Sequence, residues 1–512
     1  MIILVICLIA SVIGLIVYAR NHSLYWKNRG ISGPPSQIFV GNLIQLGNPV
    51  TNPLPFQLVK WTKQYGKTYG IQRGHCNALV TSDYKVEKQV FHDQFECFHE
   101  RDLIPLHGDP DKAALTNVFS ARGLRWKRLR ILTSAGFTIK NLKRIFPTIL
   151  KTSEQLCKNL EEDLKTSPVV DIAKSFKEYT ADVILRTTFG RYESREFLQN
   201  LIAGVLSSFE QMRGWTFYAA WIFPWIGPYL GILNARTVMR SNKALAGFFQ
   251  EIADDVRRRK KERHLPTTRN VDSSQPTDFI DILMDAESDE VIMHNSDNYS
   301  KKNSQIDKRL NVNEVIATCH GFLRAGFETT ANTLALTVYY LAKNPDTQDK
   351  LRAEVMEHCP NDDLDYDSVS KLKYTDAAFQ EAARFWPVAC AFISRRCTKT
   401  TRIGKMEIEK GTDIILDVMS MHRDKEVFGD DVEEFRPERW LVDDAPHSSF
   451  VGFGDGLRIC AGIRLAIVEQ RVALAKIVRK YRIHEVPETK EAMDISGVIL
   501  GPKSVKAKLE RI

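Results

Sequence analysis

A chain of 512 residues with 44% hydrophobic and 26% charged residues can bury a large core, which excludes an intrinsically disordered protein. The net charge of +8 is modest for this length, and no basic and aromatic module of a known nucleic-acid-binding type is present, so we expect no nucleic-acid partner. The nine cysteines include no C-x-x-C pair and no regular spacing, which argues against a disulfide framework.

The first residues of the chain are apolar. Residues 2–19 contain no charge and would form a helix about 27 Å long, close to the thickness of a bilayer's hydrocarbon core. Arg20, Lys27 and Arg29 follow, so the positive-inside rule predicts that the rest of the chain faces the cytosol. A cleaved signal peptide is the alternative, but such peptides combine a basic start with a shorter apolar run. Residues 1–20 are therefore predicted to be a retained transmembrane anchor.

Two further regions are predicted beyond the anchor. Gly33-Pro34-Pro35 cannot continue a helix, which predicts a proline-containing hinge over residues 21–45. No internal repeat is visible in the rest, and residues 46–512 are predicted to form one domain.

The periodicity of apolar residues predicts a mainly α fold with small β-sheets, of the α+β class. The predicted elements, in chain order, are strands at 67–72 and 77–81, helices between about 139 and 206, a polar connection at 287–309, a long helix from Asn311 or Asn313 to Lys343, a helix ending at Arg384, strands within 402–416 and a last helix starting near Cys460.

Seven aromatic residues lie between Trp215 and Tyr229, interrupted by Pro224, Gly227 and Pro228. These breakers predict a loop between helices. The aromatic side chains are typical either of a buried core or of a membrane interface, and the sequence leaves both open.

The segment Phe453–Gly462 reads FGDGLRICAG and carries one cysteine, Cys460, near a predicted helix start. Glycines permit positive φ and a close approach to a flat ligand. Exposed backbone N–H groups at a helix N-terminus favour a thiolate over a thiol. The loop therefore predicts an anionic cysteine that can bind a metal.

These ten residues match the pattern F-G-x-G-x-R-x-C-x-G without a gap, and on them the chain resembles the cytochrome P450 family. The resemblance implies the cytochrome P450 fold and a haem b whose iron is ligated by Cys460. It also implies that Phe453 packs near this ligand and that Arg458 pairs with a haem propionate, a role suited to a bidentate guanidinium.

Two further segments imply propionate contacts under the same resemblance. The segment 126–130 resembles W-x-x-x-R, whose Trp126 and Arg130 lie one turn apart on one helix face. Arg395 and Arg396 lie where another propionate arginine is expected. Arg396 is predicted to serve, with Arg395 as the alternative.

Glu381 and Arg384 match the E-x-x-R motif of the family, and the segment 435–440 matches its F-x-P-E-R motif, which ends on Arg439. A surface salt bridge is the usual role of an acid and a base three residues apart on a helix. The resemblance implies instead a buried structural triad of Glu381, Arg384 and Arg439 that holds the cysteine loop.

Residues 325–330 read AGFETT and match the distal helix motif A-G-x-[DE]-T-T. A mid-helix threonine usually bonds to its own backbone. The resemblance implies a widened groove at Ala325, where Thr329 holds the water network of bound oxygen and Glu328 relays protons.

The combined motifs look most like the animal, xenobiotic-oxidising clan of the family. They imply a monooxygenase that inserts one atom of O2 into an apolar small molecule, such as a xenobiotic, a steroid or a fatty acid. Phe322, Phe327 and Phe392 predict an apolar pocket. No dinucleotide fingerprint is present, so electrons are expected from NADPH through a separate cytochrome reductase, with cytochrome b5 as a candidate second partner. The predicted location is the endoplasmic reticulum membrane, with a single span and a cytosolic catalytic domain.

Three alternatives stay open at this level. A haem-thiolate peroxide isomerase would need no electrons, although the distal acid and hydroxyl argue against it. A non-catalytic haem protein is the second, because a fold alone does not fix a function. The third concerns the basic cluster near the W-x-x-x-R segment, which consists of Arg122, Arg125, Lys127 and Arg128. This cluster is either a docking face for an acidic reductase or a solvated helix face.

Overall fold

A computed structural model describes residues 2–46, 53–210, 214–262, 278–286, 309–490, 493–496 and 499–512. All but the last residue of the predicted connection at 287–309 lies outside the described residues.

Helices dominate the described part of the chain. They are α1 Ile2–Ser23, α2 Tyr25–Asn28, α3 Leu43–Leu46, α4 Leu54–Tyr65, α5 Tyr84–Lys88, α6 Gly123–Ser134, α7 Ile139–Thr166, α8 Ile172–Phe189, α9 Arg195–Glu210, α10 Trp215–Ile222, α11 Gly227–Ser241, α12 Lys243–Glu262, α13 Phe279–Asp285, α14 Val312–Lys343, α15 Pro345–His358, α16 Tyr366–Val369, α17 Lys373–Phe385, α18 Val418–Met421, α19 Lys425–Phe428 and α20 Ile463–Lys480.

The strands are short and form small sheets. They are β1 Thr68–Arg73, β2 Cys76–Thr81, β3 Val169–Asp171, β4 Ser394–Arg396, β5 Thr401–Ile403, β6 Met406–Ile408, β7 Asp413–Leu416, β8 Tyr481–His484, β9 Met493–Ser496, β10 Ile499–Pro502 and β11 Lys506–Arg511. The mainly α prediction with small sheets is confirmed.

The described residues form two compact units. The first contains residues 1–109, 210–237 and 390–421. Its main sheet has the order β1-β2-β7-β4, in which only β2 and β7 run parallel, and β5 pairs with β6 in a hairpin. Helix α4 packs on this sheet, where the Tyr69 hydroxyl donates to the Leu58 carbonyl at 3.0 Å.

The second unit contains residues 110–209, 238–389 and 422–512. Its sheets are β3-β11-β8 and β9-β10, both antiparallel. Helix α14 is buried along most of its length and packs closely on α8. A Cβ added at Gly326 would lie 2.5 Å from Ile184 Cδ1, so a larger residue there would force the Ile184 side chain to shift.

Most of the predicted elements match the structure. The long helix begins with Asn311 as N-cap, because its side chain accepts from the Glu314 N–H at 3.0 Å while Glu314 reaches back to Asn311. The prediction for the aromatic run was wrong in one respect. Two helices, α10 and α11, cover most of it, and a single turn at Pro224–Ile226 separates them. The proline ends one helix and starts the turn, because it cannot donate a backbone hydrogen bond.

Candidate functional site

The cysteine loop is a tight irregular segment that leads into α20. Gly454 and Gly456 have φ of 77° and 63°, values that side chains with a Cβ rarely adopt. The Cys460 N–H donates to the Phe453 carbonyl at 2.9 Å, which closes the loop on itself. Cys460 is half-buried. Helix α20 begins at Ile463, three residues after Cys460. The sequence predicts a helix start near Cys460, so the helix begins slightly later than predicted.

A fixed cation lies beside this loop. Arg130, on α6, donates to the Ile459 carbonyl at 2.7 Å, and Ile459 is the residue before the cysteine. Burial lowers the pKa of Arg130, whereas the charge of Cys460 raises it. No carboxylate among the described residues forms an ion pair with Arg130. The positive charge next to Cys460 is therefore not balanced by a protein acid in that part of the chain.

Trp126 and Arg458, two of the predicted propionate residues, pack against each other. Arg458 is almost completely buried, and its guanidinium carbon lies 4.4 Å from the centroid of the Trp126 ring. It donates to the Ala121 carbonyl at 2.6 Å. The structure thus brings Trp126, one turn of α6 from Arg130, against Arg458 of the cysteine loop.

The E-x-x-R motif forms a buried ionic network. Both guanidinium contacts of Arg384 to the Glu381 carboxylate are 2.9 Å, and Arg439 Nε donates to Glu381 Oε1, also at 2.9 Å. Trp440 Nε1 and the Arg436 backbone N–H donate to the same carboxylate at 2.9 and 3.1 Å. Two buried guanidinium groups and two neutral donors therefore satisfy one buried acid, which is the geometry that a buried carboxylate requires.

A histidine that we did not single out in the sequence links this network to the cysteine loop. His422 is fully buried; its Nδ1 lies 3.2 Å from the Arg384 carbonyl, and its Nε2 accepts from the Val451 N–H at 3.0 Å. Accepting at Nε2 and donating at Nδ1 fixes one neutral tautomer. Val451 lies two residues before Phe453, so His422 holds the start of the loop. A lone histidine has no sequence pattern from which this contact could be predicted.

Acid is expected to weaken this link. Burial and the Arg384 charge lower the pKa of His422 to about 3, below its ordinary value near 6.5. The stability contributed by the neutral ring is complete above pH 6.5 and is lost as pH falls from 6.5 towards 3, at up to about 1.4 kcal/mol per pH unit. We expect His422→Gln to flatten this pH dependence, measured by urea unfolding at pH 7 and pH 5. His447→Gln, at an exposed position, is the control. An unchanged slope in His422→Gln would contradict the assignment.

The distal motif lies in the middle of α14. Glu328 is 1% exposed. Ala325 is exposed and Thr329 is half-exposed, whereas the part of α14 that follows them is buried. The Thr329 hydroxyl donates to the Ala325 carbonyl at 2.7 Å. This bond uses the hydroxyl proton and leaves the oxygen lone pairs available as acceptors.

Arg395 and Arg396 have different surroundings in the first unit. Arg396 donates to both oxygens of Asp413, at 2.7 and 3.0 Å, and lies 3.6 Å from Asp102. Arg395 is 2% exposed and stacks 4.0 Å from the centroid of the Phe91 ring. The guanidinium of Arg396 is thus already paired with protein carboxylates.

The basic cluster near α6 is only partly accessible. Arg128 is buried and bonded to Glu314, and Arg122 pairs with Asp111 at 2.7 Å. Arg125 donates to the Pro110 carbonyl at 3.0 Å. Arg128 therefore cannot belong to a docking face, and the other two arginines already have intramolecular partners.

Comparisons with known proteins agree with this geometry. A family model described as "Cytochrome P450" matches residues 31–509. Among curated proteins, the Caenorhabditis elegans protein named "Putative cytochrome P450 CYP13A8" is 34% identical over 492 residues, 95% of each chain. The C. elegans proteins named "Putative cytochrome P450 CYP13A1" and "Putative cytochrome P450 CYP13A7" are 33% and 34% identical and cover 92% and 98% of each chain. Both kinds of match span nearly the whole chain.

Proposed function

Because the chain belongs to the cytochrome P450 family and is a haem-thiolate monooxygenase, we propose that it inserts one oxygen atom from O2 into an apolar small molecule, with electrons from NADPH through a separate reductase. The supporting observation is the cysteine loop, in which Cys460 lies beside the Arg130 guanidinium. A neighbouring cation stabilises a thiolate relative to a thiol, and the thiolate is the form that ligates iron. A xenobiotic, a steroid or a fatty acid belongs to this substrate class.

We assign Cys460 as the axial ligand and Trp126, Arg130 and Arg458 as the residues that would hold the propionates. Haem, when bound, supplies the iron at which O2 is activated. The fit rests on charge, because Arg130 has no acidic partner within the described residues and a group with two carboxylates would provide one. Phe453 would support the ligand through its carbonyl, which accepts from the Cys460 N–H.

The additional propionate role predicted for Arg396 is better assigned to its neighbour. Arg396 already pairs with the carboxylate of Asp413, which is fully buried, and removing a partner from a buried acid is destabilising. Arg395 instead stacks on the Phe91 ring. We therefore propose Arg395, rather than Arg396, as a further propionate arginine. Normal haem content in Arg395→Leu, combined with haem loss in Arg396→Leu, would contradict this choice.

Thr329 and Glu328 are proposed to handle the protons of the reaction. The Thr329 hydroxyl gives its proton to the Ala325 carbonyl, so its oxygen can accept a hydrogen bond from a water in the accessible groove. Glu328 is buried next to it and can carry a proton from one side of the helix to that water. Ala325 keeps the groove open because its side chain is a single methyl group.

Replacing Thr329 by Ala is expected to separate electron use from product formation. Without the hydroxyl, the water that delivers protons loses its acceptor, and general acid–base contributions of this kind are about 100-fold or more. We expect the yield of product per NADPH to fall at least about tenfold, with hydrogen peroxide released in its place. Thr333→Ala is the matched control, since its hydroxyl bonds to Thr329 O at 3.0 Å in a buried position. Unchanged coupling in Thr329→Ala would reject the proton role.

The first unit carries features suited to a membrane. Helix α1 is apolar, long enough to cross a bilayer and almost entirely exposed. Large side chains at Trp215, Trp225 and Tyr229 are 66%, 65% and 75% exposed, which favours the interfacial interpretation of the aromatic run over the core interpretation. We propose a single span over residues 1–20 in the endoplasmic reticulum, with the rest of the chain cytosolic. Full-length protein in the soluble fraction of expressing cells would contradict this.

The decisive test of the function is reconstitution. The haem-loaded full chain is combined with an NADPH–cytochrome reductase in lipid vesicles, with and without cytochrome b5, and NADPH consumption and product mass are recorded over a panel of apolar compounds. A product heavier by one oxygen supports the proposal. Conversion of an organic peroxide without reductase would instead indicate an isomerase, and no NADPH use with any compound would indicate a non-catalytic haem protein.

A further inference from the structure

Arg324, immediately before the distal motif, is an unusual residue for an apolar pocket. It lies on α14 next to Ala325, and both residues are exposed. The helix is buried at 315–319 and again from Thr330 onwards. An exposed pair of residues between two buried stretches of one core helix indicates an opening inside the protein at this point.

The surroundings of Arg324 agree with an internal position. Desolvation by the surrounding protein lowers its pKa although its side chain is accessible. Its guanidinium carbon lies 5.7 Å from the centroid of the Phe249 ring on α12, and Phe249 also contacts His320 one turn earlier, with ring centroids 4.2 Å apart. A group that is accessible yet desolvated lines a cavity rather than the outer surface.

This cation has no protein counter-charge in the described part of the chain. No ion pair or hydrogen bond to a carboxylate joins Arg324 to any described residue. Glu328, one turn away on the same helix, is buried, whereas Arg324 is exposed. His320 cannot compensate, because burial and the Arg324 charge lower its pKa to about 4 and keep the imidazole neutral. A desolvated guanidinium is costly unless an anion compensates it.

We infer that Arg324 binds a carboxylate of the substrate, so that the preferred substrates are apolar molecules that carry one anionic group. A carboxylate forms bidentate, charge-assisted hydrogen bonds with a guanidinium and would fix one end of the molecule, while the aromatic surface around Phe249 contacts its apolar part. The inference rests on the proposed monooxygenase function and narrows its substrate class.

The test uses dodecanoic acid and its methyl ester as probes of equal chain length. Binding to the haem-loaded full chain is measured by equilibrium dialysis and by the change in the haem absorption band. We expect the acid to bind about 10- to 100-fold more tightly than the ester, since hydrogen bonds to charged groups contribute more than neutral ones. Arg324→Leu should remove this difference by weakening the acid, and Arg324→Lys should restore part of it because the charge remains.

The control is Arg258→Leu on α12, which removes the same charge from an exposed side chain. It should leave both dissociation constants unchanged. Failure of the acid to bind, equal binding of acid and ester, or tight acid binding by Arg324→Leu would each overturn the inference. Each protein is first checked for the thiolate carbon monoxide spectrum, so failure of the haem-thiolate assignment is seen separately from failure of the carboxylate inference.

Discussion

Cys460→Ala is expected to abolish both the thiolate carbon monoxide spectrum and the monooxygenase activity. Alanine has no sulfur to ligate iron, so haem that still binds would show a spectrum without the strongly red-shifted band. The cost to folding should be small, about 1 kcal/mol, because the side chain is half-buried and removes few contacts. The measurement is the ferrous carbon monoxide difference spectrum, with urea unfolding to show that the variant is folded.

Other cysteines provide the control. Burial raises the pKa of Cys390 to about 12 and also raises the pKa of Cys157, so both are held as thiols. Cys390→Ala should keep the thiolate band, because a buried thiol without a neighbouring cation is a poor metal ligand. A thiolate band in Cys460→Ala, or its loss in Cys390→Ala, would show that the ligand has been assigned to the wrong cysteine.

Local sequence signals predicted those parts of the fold that depend on local interactions. A cap at Asn311 or Asn313 predicted the start of α14, and short β-rich stretches predicted β1 and β2. The aromatic run was harder, since proline and glycine mark a break in a helix but do not show whether helix resumes beyond it. There, α10 and α11 leave only a short turn between them.

For the candidate site, too, the sequence predicted residues that belong to local motifs and missed residues whose contacts lie far away in the chain. Motifs identified Cys460 and Glu381, because several specified positions at fixed spacing accompany each of them. They gave no signal for the roles proposed for His422 and Arg324, which depend on contacts with residues distant in the chain. They also left Arg395 and Arg396 both open, because the contact of Arg396 with Asp413, on which the proposed choice of Arg395 rests, forms between strands distant in the chain.

Glu381→Gln is expected to destabilise the second unit by about 3–5 kcal/mol, because it removes the charge that balances two buried guanidinium groups. Arg384 and Arg439 would remain charged and desolvated next to a neutral amide that can accept only part of their hydrogen bonds. The variant should also lose haem, since Arg384 contacts His422, which holds Val451 at the start of the cysteine loop. Haem per chain and the urea midpoint are the measurements.

Glu438→Gln is the matched control, because it removes the same charge from a more exposed acid that pairs with Lys350 at 2.6 Å and should cost less than about 1 kcal/mol. Following the thiolate band and the backbone circular dichroism together along the urea titration separates two roles. If the triad holds the loop, the band of Glu381→Gln will disappear at a lower urea concentration than the helical signal. If both signals are lost together, the triad stabilises the whole unit without a separate effect on Cys460. Wild-type stability and haem content would show that the network contributes to neither.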